Sequence, residues 1–195
     1  MKPISNIALK EAVDILRRGG VVVFPTETSY GLAADATNAR AVAKVARLKG
    51  RPLDKTFPLI VSSTAMADRF GHLHCLGHRL AKTYWPGALT LVVEARKGAG
   101  LAKGVIAKDG TIALRVSSDK TAIALSRGLG KPIVSTSANK AGEPAVYDVS
   151  ALDLKTDAVL DAGRLLKHKP STIARITEKQ IEILRVGSIK PYDSR

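Results

Sequence analysis

Polar and cationic side chains recur just beyond, or inside, short apolar runs of this chain. After residues 21–24 comes Pro25-Thr26-Glu27-Thr28-Ser29-Tyr30-Gly31, and after a helical stretch comes Lys49-Gly50-Arg51-Pro52-Leu53-Asp54-Lys55. Arg115 lies inside Thr111-Ile112-Ala113-Leu114-Arg115-Val116. Ser135-Thr136-Ser137-Ala138-Asn139 closes another apolar run, and Arg185 stands in the last one beside Gly187. In open α/β sheets ligands bind beyond the carboxyl ends of strands. Hydroxyls and amides there suit hydroxyl, amine or phosphate groups. The cations of Lys49, Arg51 and Lys55 suit a polyphosphate. Arg115 is the sharper signal, because a cation among apolar neighbours needs a paired anion and no acid adjoins it in sequence. Its partner is either a distant carboxylate of the chain or a ligand carboxylate. Each group also has a plainer reading. The three cations fit a solvated loop, residues 135–139 fit a turn with helix capping, and Thr26 with Thr28 fits a satisfied turn.

Other chemistries find less support. His72, His74 and His78 surround Cys75, but a structural zinc site needs four ligands and one thiol is present; solvated or capping histidines are the expectation. No carboxylate pair stands out. Ser29 lies in no nucleophile-elbow pattern, so covalent catalysis is not suggested. No glycine-rich dinucleotide fingerprint or Walker-type lysine loop is present.

The elements that must position these groups follow from periodicity. Leu9, Ala12, Val13 and Leu16 mark a helix over 6–18, capped by Ser5 or Asn6 and ended by Gly19-Gly20. Residues 21–24 are wholly apolar and read as a strand buried on both faces. A second helix runs from Asn38 to Gly50. Short strands are expected at 58–61, 89–94, 111–116 and 132–135. Helices are expected from Ser63 or Thr64, over 75–84, and over 119–129 with Ser118 as cap. Residues 96–110, with four glycines and four Lys or Arg residues, are the best candidate for a mobile loop. Residues 171–176 and 181–186 resemble a hairpin. This alternation argues α/β, and the hairpin argues a mixed sheet.

The 195-residue length fits one domain. Apolar residues make up 45% and charged residues 25%, which excludes a disordered chain. No apolar run approaches the roughly 20 residues of a membrane helix. No signal-peptide pattern opens the chain, and Cys75 alone forms no internal disulfide. A cytoplasmic protein is expected. Thirty-one Lys and Arg against 17 Asp and Glu give a net charge of +14, which attracts polyanions. Aromatic residues are only 4%, so nucleic-acid contact would rest on backbone electrostatics more than on stacking.

Five ordered motifs complete the reading: Pro25-Thr26-Glu27-Thr28 with Tyr30-Gly31-Leu32, Lys49-Gly50-Arg51-Pro52 with Asp54-Lys55, Trp85-Pro86-Gly87 followed by Leu89-Thr90, Arg115-Val116, and Ser135-Thr136-Ser137-Ala138-Asn139. In this order and at these separations, over about residues 7–187, the sequence resembles the YrdC/TsaC threonylcarbamoyl-adenylate synthases, in their short, single-domain form. The resemblance implies one α/β domain with a twisted, mixed but mostly parallel sheet, flanking helices, kinship with the DHBP synthase fold and a concave basic cavity. It implies a reaction joining L-threonine, bicarbonate and ATP to give threonylcarbamoyl-AMP and pyrophosphate. That product serves N6-threonylcarbamoylation of adenosine 37 in tRNA through downstream transferase proteins. By position, Thr28, Arg115, Ser135 and Ser171 correspond to the threonine site. Arg51, Lys55, Thr111, Ser137 and Arg185 correspond to the ATP site, joined by Lys49 and Asn139. Magnesium would arrive with ATP, held mainly by phosphates. Three departures stand out: Ala33 where many members have glycine, the added Thr56-Phe57, and Ser62 where some members place a threonine-contacting histidine. Two rivals remain: a non-catalytic RNA-binding paralogue, favoured by the charge, and the carbamoyl-adenylating module of hydrogenase maturation proteins, normally part of much longer chains.

Overall fold

A computed structural model describes residues 4–191. The first helix, α1 (Asn6–Arg17), is capped by the Ser5 hydroxyl, which accepts the Ala8 N–H at 3.1 Å. Then follow β1 (Val22–Phe24), β2 (Gly31–Ala33), α2 (Ala39–Lys49), β3 (Leu59–Ile60), α3 (Thr64–Phe70), α4 (His74–Tyr84), β4 (Leu89–Glu94), β5 (Thr111–Arg115), α5 (Lys120–Leu129), β6 (Ile133–Val134), β7 (Thr136–Ser137), β8 (Ala158–Val159), β9 (Thr172–Ile176) and β10 (Ile181–Arg185). Asn38 caps α2, and Gly50 ends it in the left-handed conformation that glycine adopts without strain. The cap of α5 is Asp119, not Ser118 as expected: its carboxylate accepts the N–H groups of Thr121 and Ala122. A carboxylate also suits the positive end of the helix dipole.

The strands form two sheets, ordered β7-β2-β1-β8 and β10-β9-β4-β5-β3-β6. The expected single, mostly parallel sheet is corrected. Only β1 with β8, β3 with β5 and β4 with β9 run parallel, and the other five pairings are antiparallel. Connection length accounts for two of the antiparallel pairs, β1 with β2 and β9 with β10. Antiparallel strands join through short loops such as 25–30 or 177–180, whereas parallel neighbours need a crossover of a dozen or more residues. The two sheets meet where Ala34 O accepts the Val134 N–H at 2.9 Å and Ala36 N–H donates to Pro132 O at 3.1 Å. Along that seam the chain passes from β6 in one sheet to β7 in the other, and Ser135 is the crossing residue.

One larger core joins both sheets to α2, α3 and α4, from Val23 and Leu32 to Leu91 and Leu114. A second, smaller core lies under α1 and α5 and takes Val22, Phe24 and Ile60. Thus β1 is buried on both faces, as its apolar run required. Residues 96–110 carry no strand of the sheets, yet they are not the free loop expected. Ala102 and Val105 are buried, and backbone bonds tie Ala102 to Ala36 and Gly104 to Phe57. Burial of the loop's apolar residues outweighs its glycine content.

Candidate active site

Strand alternation builds the floor of a cavity of about 890 Å³. On β5, Ile112 and Leu114 enter the core, so Thr111, Ala113 and Arg115 face the opposite side and line the cavity. The same parity brings Thr90 and Val92 of β4, and Ser171, Ile173 and Arg175 at β9, onto that floor. Thr28 reaches the cavity from the loop between β1 and β2, and Ser135, Ser137 and Asn139 reach it from the sheet crossing. Lys49, Arg51 and Lys55 come from the end of α2, and Arg185 from β10. All the residues singled out as threonine or ATP contacts therefore line one cavity, of a size typical for small-molecule sites.

Arg185 reaches it through a backbone irregularity. Ile183 stands opposite Ala174, but Arg185 stands opposite Ile173, so Leu184 is an extra residue in β10. Without that bulge Arg185 would point with Thr172 toward the other face. With it, the guanidinium donates to Ser171 O at 2.7 and 3.1 Å and to Ser171 Oγ at 3.1 Å. Ser171 Oγ also lies 3.0 Å from Thr90 Oγ1. Gly187 makes the approach possible, since a Cβ there would fall 2.1 Å from Pro170 O.

Arg115 has its chain partner. Glu27 Oε1 lies 3.2 Å from Arg115 Nη1, and the two side chains are 18% and 8% exposed. Ser117 Oγ donates to the other Glu27 oxygen. Glu27 Oε1 is buried and makes no hydrogen bond of its own. Burial pushes the Arg115 guanidinium below its usual range, against the pull of Glu27. Burial, and then the like charge of Arg115, lowers Arg185 also. Arg115 pairs with Glu27, and Arg185 adds a second guanidinium near enough to feel the Arg115 charge, which leaves a surplus positive charge in this part of the cavity. The resemblance puts Arg185 with ATP; its bonds put it beside Ser171, within reach of the Arg115 charge.

The turn preceding Thr28 is satisfied by Thr26. Its hydroxyl accepts the N–H groups of Thr28 and Ser29 and donates to Ser29 O at 2.7 Å. Thr28 Oγ1 lies 3.0 Å from it, at the cavity wall. At the far end Arg51 lies over the Phe57 ring, 5.1 Å from its centroid, and donates to Thr56 O at 3.0 Å. The added Thr56-Phe57 therefore supplies the platform for a phosphate-sized cation site. Lys55 is exposed at the rim. Thr111 donates to Asp109 at 2.7 Å, which holds the Asp109 carboxyl below its usual range, and Asp109 in turn pairs with Arg175 at 3.0 Å.

Glu27, Thr90 and Arg175 were not singled out as site residues. Thr90 and Arg175 carry the signal that exposed Arg115, a polar residue alternating with apolar ones in a strand. Ala33 is buried in β2, and Ser62 donates to the Met66 sulfur at 3.7 Å. The histidine cluster pairs with carboxylates, His78 with Asp68 and His74 with Glu178. No group of three His, Cys, Asp or Glu among the described residues suits a metal ion.

Fold and site together define an α/β protein with a cavity lined by lysine and arginine cations and by serine and threonine hydroxyls. The chain belongs to the Sua5/YciO/YrdC family: the family model described as "Telomere recombination" matches residues 14–187. It is 41% identical over 170 residues to the threonylcarbamoyl-AMP synthase of Thiobacillus denitrificans, covering 85% of this chain and 89% of that protein. It is 37% identical over 188 residues to the Bacillus subtilis threonylcarbamoyl-AMP synthase, covering 93% of this chain and 54% of that one. It thus spans about half the length of the Bacillus relative. The crystal structure of P. abyssi Sua5 complexed with L-threonine superposes with a TM-score of 0.88 at 29% identity, over 95% of this chain and 56% of that one.

Proposed function

We propose that this chain is a threonylcarbamoyl-AMP synthase, acting in the cytoplasm on L-threonine, bicarbonate and ATP. The observation that carries the reading is the charge arrangement of one cavity. Arg115, paired with Glu27, and Arg185, bonded to Ser171, stand at one end, and Arg51 with Lys55 stands at the other. A zwitterionic amino acid fits the first end, its carboxylate taking the surplus charge, with Thr28, Ser135 and Ser171 offering hydroxyls to its polar groups. A triphosphate fits the second, with Thr111 and Ser137 between the two.

The chemistry needs alignment and charge neutralisation more than a nucleophile. The threonine amine attacks carbon dioxide and gives up a proton, or attacks bicarbonate, whose C–O bond breaks to release water, and either route forms the carbamate. A carbamate oxygen then attacks the α-phosphorus, the α–β anhydride bond breaks, and pyrophosphate departs with the electron pair. Carbamates are labile in water, so a recessed site favours the second step. Arg51 and Lys55 oppose the charge that develops on the leaving phosphates. Magnesium would enter on the phosphates, which supply its oxygen ligands.

Mass spectrometry of reactions containing ATP, L-threonine and bicarbonate tests the proposal. Threonylcarbamoyl-AMP is the expected product, and pyrophosphate release depends on both other substrates. Equal release without an amino acid would identify a different nucleotide-consuming enzyme. Serine, one methyl smaller, is expected to be poorer by about 1–3 kcal/mol. The net charge of +14 supports a second property, weak tRNA contact that fades steeply as salt rises.

A further inference from the structure

Lys49 and Asn139 line the cavity, yet their hydrogen-bonding capacity faces the protein. Lys49 ends α2 and is 4% exposed. Its ammonium has three N–H donors, and three acceptors surround it: Ser137 O at 2.7 Å, Asn139 Oδ1 at 3.2 Å and Ser137 Oγ at 3.3 Å. Its own carbonyl accepts the Ala141 N–H at 2.9 Å. The Asn139 amide donates to Lys140 O at 3.0 Å and Glu143 O at 2.5 Å, so both its protons are committed too. Arg51 differs. Its Nη2 bonds Thr56 O, but its buried Nε has no partner, so it retains donors for a ligand.

The strand these bonds hold is exposed to loss. Strand β7 is the edge of its sheet and only two residues long, paired on one side to Gly31 and Leu32 of β2. On its other side, Lys49 satisfies the Ser137 carbonyl that a further strand would have taken. The last residue of α2 substitutes for a neighbouring strand at the point where the Ser137 hydroxyl meets the cavity. All three acceptors are neutral. Burial, followed by the nearby Arg51 charge, lowers the Lys49 pKa to about 8. To grasp a phosphate, Lys49 would have to abandon acceptors that are themselves partly buried, at a cost in unsatisfied groups.

We infer that Lys49 and Asn139 are positioning residues: together they tie the β7 edge to α2 and so set the Ser137 hydroxyl against the nucleotide, without touching the nucleotide themselves. This rests on ATP being a substrate of the cavity, as proposed above.

A double-mutant cycle on ATP affinity, read by calorimetry on the full chain, tests it. Lys49→Met and Ser137→Ala are each expected to weaken ATP about tenfold. The double variant is expected to fall within about threefold of the weaker single, because a displaced Ser137 has no contact left to lose. Losses that multiply, about a hundredfold together, would overturn the inference and make Lys49 a direct phosphate ligand. Melting curves establish that each variant is folded. If Lys49→Met is not, Asn139→Ala takes its place in the same cycle with the same two outcomes. Wild-type protein that binds no ATP would instead overturn the functional reading, and this inference with it.

Discussion

Glu27 and Arg115 lie 3.2 Å apart at their charged atoms, and their ion pair bridges the two sheets. Glu27 belongs to the loop between β1 and β2 that also carries Thr28, and Arg115 belongs to β5. One contact therefore fixes the distance between a threonine hydroxyl and a guanidinium that arise in different sheets. Removing either partner of a buried pair strands the other. Arg115→Ala is expected to destabilise the fold by about 3 kcal/mol and to weaken threonine by about 2–4 kcal/mol, with a much smaller effect on ATP. Glu27→Gln separates the roles. It leaves Arg115 without its carboxylate while the guanidinium of Arg185 stays nearby, so the empty protein loses stability, and the substrate carboxylate then restores more than in wild type. The measurement is the shift of melting temperature with threonine concentration. A smaller shift in Glu27→Gln than in wild type would count against a threonine carboxylate at this end.

Arg51→Ala is expected to show the reverse selectivity. Its guanidinium stacks on Phe57 and bonds Thr56 O, whereas Ser171 is held by Arg185. ATP affinity should fall by about 1.5–3 kcal/mol, the range for a hydrogen bond to a charged group, and threonine affinity should hardly change. Arg51→Lys should rescue only partly, because the ammonium lacks the planar fork that stacks and chelates. Titrations of each ligand against both variants decide it.

Gly187→Ala is predicted to act through Arg185. The added methyl would meet Pro170 O at 2.1 Å and Thr172 N at 2.5 Å, both backbone atoms that have no room to yield. The end of β10 must then move away from residues 170–172, and Arg185 must release Ser171. Threonine affinity should fall at least as far as in Arg185→Ala. Unchanged affinity in a folded Gly187→Ala protein would show that Arg185 does not depend on this approach.

The pH dependence of stability carries a contribution from Lys49. Its folded pKa, about 8, lies below the ordinary 10.5. Between those values the unfolded chain holds the proton more tightly than the folded one. Through that window, stability on this group's account rises with pH. The difference in unfolding free energy between wild type and Lys49→Met, measured in urea across the window, should therefore grow as pH increases. A flat difference would mean that burial does not depress this ammonium.

Arg115 illustrates what was legible in the sequence. A cation inside an apolar strand advertises a partner, and strand parity places it with Thr111 on one face. The helices α1 and α2 were equally plain, because apolar period, Ser5 and Asn38 caps, and terminal glycines all agree. The strands β2, β7 and β8 were not: β2 opens on Gly31, β7 is the polar pair Thr136-Ser137, and β8 is two residues, so none stands out as β1 does with its apolar run. Pairing alone makes them strands.

The sequence by itself determined the α/β alternation, the doubly buried β1, the motif residues and the surplus positive charge, because composition and local periodicity encode all four. Tertiary structure alone decided that the sheet is two sheets, that Ser135 crosses between them, that Glu27 is the anion of Arg115, and that the Leu184 bulge turns Arg185 into the cavity. The physical reason is common to these. A local pattern fixes which face of an element is apolar, but register, bulges and ion pairs between residues about 90 apart are set only when the elements pack together.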